Sequence, residues 1–234
     1  MLETAESVHD RGLFTIETVT ARCRRVVDRA EHALVALSPF NSYYKPSLVR
    51  DLVAWCYAHF DTVDVFTPGY EAVYTLTAAG TPPREAVRRA RQALNTLRTA
   101  AVKGLIAAGD SKPHSRVHTW TTLAARRPYR LSRERTKRAY AEDPVVRTAC
   151  REIARLAVRT NTGTDPADSQ LDVAVHYPLA ELPLIIDSPA IFGVRSSVFL
   201  YHREMGPFMP LVFGESRSVS LSPGQAFGIA RRDG

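Results

Sequence analysis

The sequence predicts an α/β fold with a largely parallel sheet flanked by helices. Two short apolar segments, 32–37 (HALVAL) and 62–66 (TVDVF), have the length and composition of buried parallel strands. The segment between them, 46–60, carries apolar residues at helical spacing. A strand, a helix and a second strand in this order form the right-handed crossover unit of a parallel sheet.

Further helices and strands alternate along the rest of the chain. Helices are predicted over 18–32, from Pro82 or Pro83 to about 105, from Pro144 with Asp143 as its cap to about 160, and over 180–188. The alternating segments 171–176 (LDVAVH) and 194–202 (VRSSVFLYH) are predicted as strands. The basic and aromatic segment 112–138 receives no assignment. Because no repeat or flexible linker interrupts the chain, residues 1–234 are expected to form a single domain.

Basic residues are concentrated in the middle of the chain, in the predicted helical region of about 82–160. This region has 19 Lys or Arg against 6 Asp or Glu, a net charge of +13. The remaining residues have 12 against 18, a net charge of −6, within the total of +7. A middle third this basic beside acidic flanks indicates a face that binds a polyanion.

One helix of this region carries a row of arginines, which we call the arginine stripe: Arg84, Arg88, Arg91 and Arg98. At a rotation of about 100° per residue, these residues share an arc of roughly 80°. Glu85 is the only acidic residue from 82 to 103, so the stripe lacks the carboxylates that a merely solvated face usually carries. A second row, ranked lower, lies on the helix from Pro144 and comprises Arg147, Arg151, Arg155 and Arg159.

Several common kinds of site are not predicted. Cys23, Cys56 and Cys150 are far apart and form no CxxC pair, so we expect reduced, buried thiols and neither a disulfide framework nor a zinc site. His114 and His118 have the i, i+4 spacing of metal ligands, but no third ligand accompanies them, and we expect a surface pair. Neither GxxxxGK[ST] nor GxGxxG occurs. No metal or cofactor is therefore expected.

The amino terminus bears Glu3, Glu6 and Asp10 and has no basic start followed by an apolar stretch, so no secretory signal is predicted. Apolar runs also stay well below the roughly 18 residues of a membrane span. We expect a cytoplasmic protein without a membrane partner.

The first apolar segment runs directly into Ser38, Pro39 and Asn41. Ligands of parallel sheets bind outside the carboxyl ends of the strands, and Ser38 falls at that place. Serine and asparagine are also ordinary turn and helix-cap residues, which is the alternative interpretation for this segment taken alone. The GxSxG pattern of the α/β-hydrolases is absent around Ser38.

Two later apolar segments also end in titratable side chains. Tyr177 follows the predicted strand 171–176 and precedes Glu181 by four residues, while the strand 194–202 ends in Tyr201 and His202. A phenol and a carboxylate among apolar residues would share a partly desolvated pocket, where a carboxylate is costly without a cationic partner. An ordinary core tyrosine and a surface glutamate remain the alternative for each residue alone.

Taken together, these segments resemble the cyclodipeptide synthases. The family pattern H-x-apolar-apolar-G-apolar-S-x-x-N is matched by His32, Leu34, Val35, Ala36, Leu37, Ser38 and Asn41. The later pattern Y-apolar-x-x-E-x-P is matched by Tyr177, Glu181 and Pro183. Asn41 with Tyr201 and His202 matches the subfamily named for asparagine, tyrosine and histidine.

Two positions depart from the family patterns. Ala36 stands where the family commonly has glycine, and its methyl group puts the amino-acid preference in question. Pro178 stands where an aliphatic residue usually follows the tyrosine, and it can serve as the first residue of a helix.

The resemblance implies a Rossmann-like fold similar to the catalytic domain of class I aminoacyl-tRNA synthetases, without activation by ATP. It implies that two aminoacyl-tRNAs are joined into a 2,5-diketopiperazine through an aminoacyl ester on Ser38. Glu181 with Tyr177 would hold the first α-ammonium group, and Tyr201 would steady the serine or relay a proton.

The resemblance also assigns binding roles. Asn41 and His202 would contact the second aminoacyl group. Since the resemblance implies that the activated ester arrives on RNA, the arginine stripe is predicted to bind tRNA phosphates, and Ala36 is predicted to line the first pocket. We expect a monomer with no DNA partner.

Two other functions stay open at this point. An RNA-independent serine acyltransferase or hydrolase would act on simple esters and be indifferent to ribonuclease. A noncatalytic RNA-binding module would keep its RNA affinity when Ser38 is changed.

Overall fold

A computed structural model describes residues 13–233, and within them six strands form one sheet in the order β1-β6-β5-β2-β3-β4. The amino-terminal acidic residues named above lie outside the described residues. The strands are β1 Phe14–Thr18, β2 His32–Ala36, β3 Thr62–Phe66, β4 Val117–His118, β5 Ser197–Tyr201 and β6 Gln225–Arg232. Only β1 runs antiparallel to its neighbour, β6. The predicted α/β fold with a largely parallel sheet is confirmed.

Helices cover the sheet and extend beyond it. Their bounds are α1 Ala21–Val27, α2 Pro46–His59, α3 Ala72–Ala78, α4 Pro83–Ala107, α5 Trp120–Ala124, α6 Arg127–Glu142, α7 Pro144–Thr162, α8 Asp168–Ala174, α9 His176–Phe192 and α10 Met209–Val212. The helices predicted at α2, α4 and α7 are confirmed, and the Asp143 side chain accepts a hydrogen bond from Val145 N, as a cap should. The segment 112–138, unassigned from sequence, contributes a 3₁₀ turn, β4, α5 and most of α6.

The strand order places the site at the carboxyl edge of the sheet. β2 is buried along its whole length and pairs in parallel with β3 on one side and β5 on the other. The chain leaves β2 toward β3, whereas β5 adds to the opposite side of β2. Crevices that bind ligands open at such switch points in open α/β sheets.

The helix predicted over 18–32 is wrong in its first part. Phe14–Thr18 forms β1, which alternates between buried and half-buried residues and pairs with β6. The helix begins only after Thr20, whose hydroxyl accepts a hydrogen bond from Cys23 N. It ends before the predicted boundary, at Val27.

The strand predicted over 171–176 is also wrong, because these residues belong to α8 and the start of α9. Leu171, Ala174 and Val175 are buried while Asp172 and Val173 are exposed. This spacing is helical, and the apparent alternation of LDVAVH arises from only six residues. Tyr177 accordingly begins a helix and does not end a strand.

The helix predicted over 180–188 is part of the longer α9, which is kinked at Asp187 with φ −152° and ψ 44°. Pro189 has no N–H group and its ring crowds the preceding turn, which accounts for the kink. The Ser188 N–H, released from the helix, donates to Gln225 Oε1 over 2.7 Å. Side chains on both sides of the kink are buried.

The expectation that His114 and His118 form a surface pair holds for His114 only. Because β4 pairs with β3, His118 is buried, and its Nε2 lies 2.6 Å from Asp64 Oδ1. His32 Nε2 lies 3.1 Å from the other carboxylate oxygen of Asp64. Burial alone would raise the pKa of Asp64, but the hydrogen bonds from His118 and His32 hold it below its usual range.

The three cysteines are buried and free, as predicted. Burial raises the pKa of Cys150 to about 12 and holds that of Cys56 above its usual range. Both thiols are therefore protonated and poorly nucleophilic at neutral pH.

Candidate active site

Ser38 lies in the loop that follows β2. The preceding residue, Leu37, donates its backbone N–H to Phe66 O over 2.9 Å, which extends the pairing with β3 up to the serine. Phe40, two residues further on, has φ 65°, a left-handed conformation that residues other than glycine rarely adopt. Backbone strain of this kind clusters at functional sites.

Two phenols, those of Tyr177 and Tyr201, line the same cavity as the Ser38 hydroxyl and interact with it. Tyr177 comes from the first turn of α9, and its ring stands edge-on to Trp120 with 4.9 Å between centroids. Tyr201 is the last residue of β5. Burial raises the pKa of Tyr201 to about 12 and that of Tyr177 well above its usual range. Both phenols therefore stay protonated at neutral pH and can donate hydrogen bonds.

Glu181 lies one helical turn after Tyr177, on the same side of α9. Its side chain is buried, with 5% of the residue exposed. Desolvation raises the pKa of Glu181 to about 8, and within residues 13–233 no cation opposes this effect. The carboxyl group is therefore suited to receive a cation from a ligand.

Asn41 and His202 form a second polar pair beside Ser38. Asn41 Nδ2 lies 3.0 Å from His202 Nε2, and Asn41 Oδ1 accepts a hydrogen bond from Tyr43 N over 3.0 Å. The phenol of Tyr201 lines the same cavity and interacts with the Asn41 side chain. Burial, with a smaller contribution from nearby arginines, lowers the pKa of His202 to about 4, so its imidazole is neutral at physiological pH.

These side chains converge on one cavity of about 550 Å³. The predicted site residues that line it are Ser38, Asn41, Tyr177, Glu181, Tyr201 and His202. The structure therefore brings together every predicted catalytic residue and two of the three predicted substrate-binding residues. Ala36 is the exception: it is buried in β2 behind the serine and is not part of the cavity wall.

Sequence reasoning missed one wall of the cavity and one residue behind it. Ile153, Ala157 and Thr160 of α7 line the outer part of the cavity. The helical periodicity of α7 showed that one face is apolar, but not that part of that face is left open to a ligand. Tyr44 is buried behind the serine loop and bonded to both Ala36 and His202, and its place in the sequence, next to Tyr43, gave no sign of this contact.

The arginine stripe lies exposed on α4, and within residues 13–233 none of its guanidinium groups has an ion pair. The second row on α7 differs in this respect. Arg151 lies 2.7 Å from Asp168 and 2.8 Å from Asp172, and Arg159 lies 3.7 Å from Asp165. The stripe is thus the row of positive charge left available to an anion.

A second cavity, of about 350 Å³, joins α4 to the serine loop. Ser38 and Asn41 line one side, and Arg89, Gln92 and Thr96 line the other. These α4 residues are turned roughly 110° around the helix from the centre of the arginine stripe. A molecule lying along the stripe could therefore reach Ser38 around one side of the helix.

Two other kinds of site find no counterpart between residues 13 and 233. In that range no three or more ligating side chains are grouped to hold a metal ion. Nor is any helix there long and apolar enough to cross a membrane.

A family model described as cyclodipeptide synthase matches residues 14–232 of the chain. The chain belongs to the cyclodipeptide synthase family. The cyclo(L-leucyl-L-leucyl) synthase of Bacillus subtilis is 32% identical over 243 residues, covering 99% of this chain and 93% of the relative. The cyclo(L-leucyl-L-phenylalanyl) synthase of Streptomyces noursei is 33% identical over 217 residues, covering 92% and 90%.

A solved structure from the same family has the same fold. The Mycobacterium tuberculosis protein is 25% identical and superimposes with a TM-score of 0.86, covering 99% of this chain and 98% of its own. That structure is described as demonstrating that cyclodipeptide synthetases are related to type I tRNA synthetases. The Rossmann-like architecture implied by the resemblance is therefore confirmed.

Proposed function

We propose that this chain is a tRNA-dependent cyclodipeptide synthase that joins two aminoacyl groups through an aminoacyl ester on Ser38. One observation carries the proposal. The Ser38 hydroxyl and two protonated phenols line one cavity, in which Glu181 is buried without a cation. An aminoacyl ester supplies both missing partners, because it has a carbonyl for the serine and an ammonium group for the carboxylate.

In the first half of the reaction, Ser38 Oγ attacks the ester carbonyl of the first aminoacyl-tRNA. A bond forms between Oγ and the carbonyl carbon, and the bond between that carbon and the ribose oxygen breaks. The serine proton ends on the leaving ribose oxygen. The neighbouring hydroxyl of the same ribose can relay the proton from Oγ to that oxygen. Tyr177 and Tyr201, both protonated, donate hydrogen bonds to the oxygen that gains negative charge.

Glu181 holds the α-ammonium of the aminoacyl group on Ser38. The ion pair compensates the desolvation of the carboxylate. Its pKa of about 8 is close to that of an α-amino group. Burial thus makes Glu181 a stronger base than an exposed glutamate, suited to take a proton from the ammonium and leave an amine able to attack.

The second half of the reaction consumes another aminoacyl-tRNA. The free amine of the first residue attacks the ester of the second, forming a peptide bond and releasing the second tRNA. Asn41 and His202 contact this second aminoacyl group at the side of the cavity away from α9. The terminal amine then attacks the ester on Ser38, which closes the diketopiperazine ring and regenerates the hydroxyl.

The arginine stripe binds the phosphates of the tRNA. Its exposed guanidinium groups without carboxylate partners suit a polyanion. The cavity between α4 and the serine loop gives the acceptor end a route from the stripe to Ser38. We further propose that a single copy of the chain in the cytoplasm, where charged tRNA is present, is the working enzyme.

A labelling experiment tests the ester on Ser38. Wild type is mixed in turn with tRNA charged with each single labelled amino acid, and label on acid-precipitated protein is measured. We call the substrate that gives most label the preferred aminoacyl-tRNA. Ser38→Ala removes one hydroxyl and should abolish both label and cyclic dipeptide, whereas Ser47→Ala, exposed in the first turn of α2, should retain both. Label that persists in Ser38→Ala would rule out Ser38 as the acceptor.

A ribonuclease treatment of the same reaction mixtures distinguishes the proposed function from that of an RNA-independent hydrolase or acyltransferase. Within residues 13–233 no histidine is hydrogen-bonded to Ser38, since His202 contacts Asn41 and Tyr44 instead. A histidine base is the usual activator of a hydrolytic serine. We expect ribonuclease to abolish product formation, and product that survives ribonuclease would favour the hydrolase class. Mass spectrometry of medium from an expressing host identifies the two amino acids.

A further inference from the structure

A continuous chain of hydrogen bonds runs from Asn41 through His202 and Tyr44 to the end of β2. Asn41 Nδ2 and His202 Nε2 are 3.0 Å apart, and His202 Nδ1 and Tyr44 Oη are 3.2 Å apart. Tyr44 Oη lies 2.9 Å from Ala36 O. Ala36 stands two residues before Ser38. These hydrogen bonds therefore connect the loop after β5 to the end of β2, from which the serine loop begins.

The donors and acceptors of this chain can be assigned from its two ends. Asn41 Oδ1 accepts from Tyr43 N, so the amide turns its donating Nδ2 toward His202 Nε2. His202 Nε2 must then be the unprotonated nitrogen, and in the neutral ring the proton is on Nδ1. At the other end, Ala36 O is a pure acceptor, so the Tyr44 hydroxyl donates to it and presents a lone pair to Nδ1–H.

The surroundings keep the ring and the phenol in these states. Tyr44 is buried, and desolvation holds its pKa well above its usual range, so its hydroxyl keeps the proton. Tyr43 stacks on the His202 ring at 4.9 Å, and Tyr44 meets the ring edge at 5.1 Å. The plane of the His202 ring is therefore fixed by packing, and its hydrogen bonds determine which of the two nitrogens carries the proton.

We propose that Tyr44 is a positioning residue for the second half of the reaction, because its hydroxyl accepts from His202 Nδ1–H and so stabilises the tautomer in which Nε2 can accept from Asn41. This inference rests on the proposed function for its catalytic consequence. Its structural consequence, the tautomer, does not depend on that function.

The effect reaches the reacting groups through Asn41. If Nε2 carried the proton, it would point a donor at the Asn41 amide donor, and the pair would separate. Asn41 and His202, which contact the second aminoacyl group, would then no longer be held in one arrangement. Glu181 and Tyr177 on α9 would keep their positions.

The test compares Tyr44→Phe with a matched control, Tyr43→Phe. Both changes remove one hydroxyl and keep the ring. The Tyr43 hydroxyl donates to Ala230 O over 3.3 Å, outside the chain described above. Protein labelled with ¹⁵N at histidine reports the tautomer, and the His202 signals are assigned by their loss in His202→Gln.

In wild type and in Tyr43→Phe we expect a protonated Nδ1 and an unprotonated Nε2. In Tyr44→Phe we expect a mixture of tautomers. With the preferred aminoacyl-tRNA, the rate of labelling of Ser38 in Tyr44→Phe should stay within about twofold of wild type. Its rate of cyclic dipeptide formation should fall by about tenfold, which corresponds to roughly 1.4 kcal/mol.

Three results would overturn the inference. The first is a wild-type spectrum with the proton on Nε2, which needs no variant and decides the matter even if Tyr44→Phe does not fold. The second is an unchanged tautomer in Tyr44→Phe. The third is an equal loss of labelling and dipeptide formation. A wild type that no aminoacyl-tRNA labels would contradict the proposed function instead, and the spectra would still test Tyr44.

Discussion

Replacing Glu181 by glutamine should stabilise the free protein while stopping dipeptide synthesis. Glutamine keeps the volume of the side chain and resembles the protonated carboxyl group. Burial raises the pKa of Glu181 from 4.5 to about 8, so between these values the folded state holds a proton that the unfolded chain has released. Stability then falls as pH rises through this window and stays low above it. The glutamine variant does not undergo this decrease.

The shift sets the size of the effect. At about 1.36 kcal/mol per pKa unit, the free energy of unfolding of wild type should fall below that of the variant by roughly 3 kcal/mol at pH 7 and by roughly 5 kcal/mol above pH 8. For a chain of this size, 3 kcal/mol corresponds to roughly 6–12 °C in the unfolding midpoint. Thermal unfolding measured from pH 4.5 to 9 without substrate should show the two curves diverging as pH rises.

A surface glutamate provides the control. Glu215 is exposed in the loop after α10, and Glu215→Gln should follow the pH dependence of wild type. Parallel curves for Glu181→Gln and wild type would show that burial does not destabilise the carboxylate, and would refute its role as the partner of a bound ammonium. The same variant should still acylate Ser38 in part, since ester transfer needs no free amine, but near-normal cyclic dipeptide yield would show that the carboxylate has been given the wrong role.

Further predictions concern the RNA and the first pocket. Alanine at both Arg88 and Arg91 should weaken tRNA use and lower its log–log salt slope by roughly one unit for each phosphate that the stripe no longer binds. Alanine at both Arg25 and Arg29, exposed on or just after α1, removes the same charge and should leave the slope unchanged; an equal drop in both would mean that net charge alone matters. Because Ala36 is buried behind the serine and is not part of the cavity wall, Ala36→Gly should leave the product spectrum by mass spectrometry unchanged, and a shift toward larger side chains would show that its methyl group narrows the first pocket after all.

The strands and helices predicted correctly are those with strong local signals. β2 and β3 are short apolar runs ending at turn residues, and α4 and α7 begin at prolines after clear boundaries. In such segments burial and backbone preference favour the same structure. Ser38 was predicted for the same reason, because the end of a buried parallel strand fixes where its next polar side chain can lie.

The placement of Tyr177 shows where local pattern fails. Six residues with an apparent period of two preceded it, but tertiary packing selected a helix there. The pairing of Tyr177 with Glu181 was nevertheless predicted, from two polar side chains close in sequence among apolar residues. In the structure the two residues lie one above the other on α9. The edge strand β1 was mis-assigned and its neighbour β6 was missed, since their pairing joins residues about two hundred positions apart or more. Nothing in a local window reports such a contact.

Two sets of charged groups lack a partner of opposite charge within residues 13–233, and one kind of ligand would supply a partner to both. Glu181 is buried with no cation contributing to its pKa, and the arginine stripe is exposed with no carboxylate partner within residues 13–233. An amino acid alone would supply the ammonium but nothing for the stripe, and an uncharged tRNA would supply the phosphates but nothing for the carboxylate. A molecule with an ammonium group at one end and a row of phosphates behind it, such as the aminoacyl-tRNA of the proposed function, supplies both. Because Ser38 lines both the cavity of Glu181 and the cavity beside α4, the ester of such a molecule would lie at the serine.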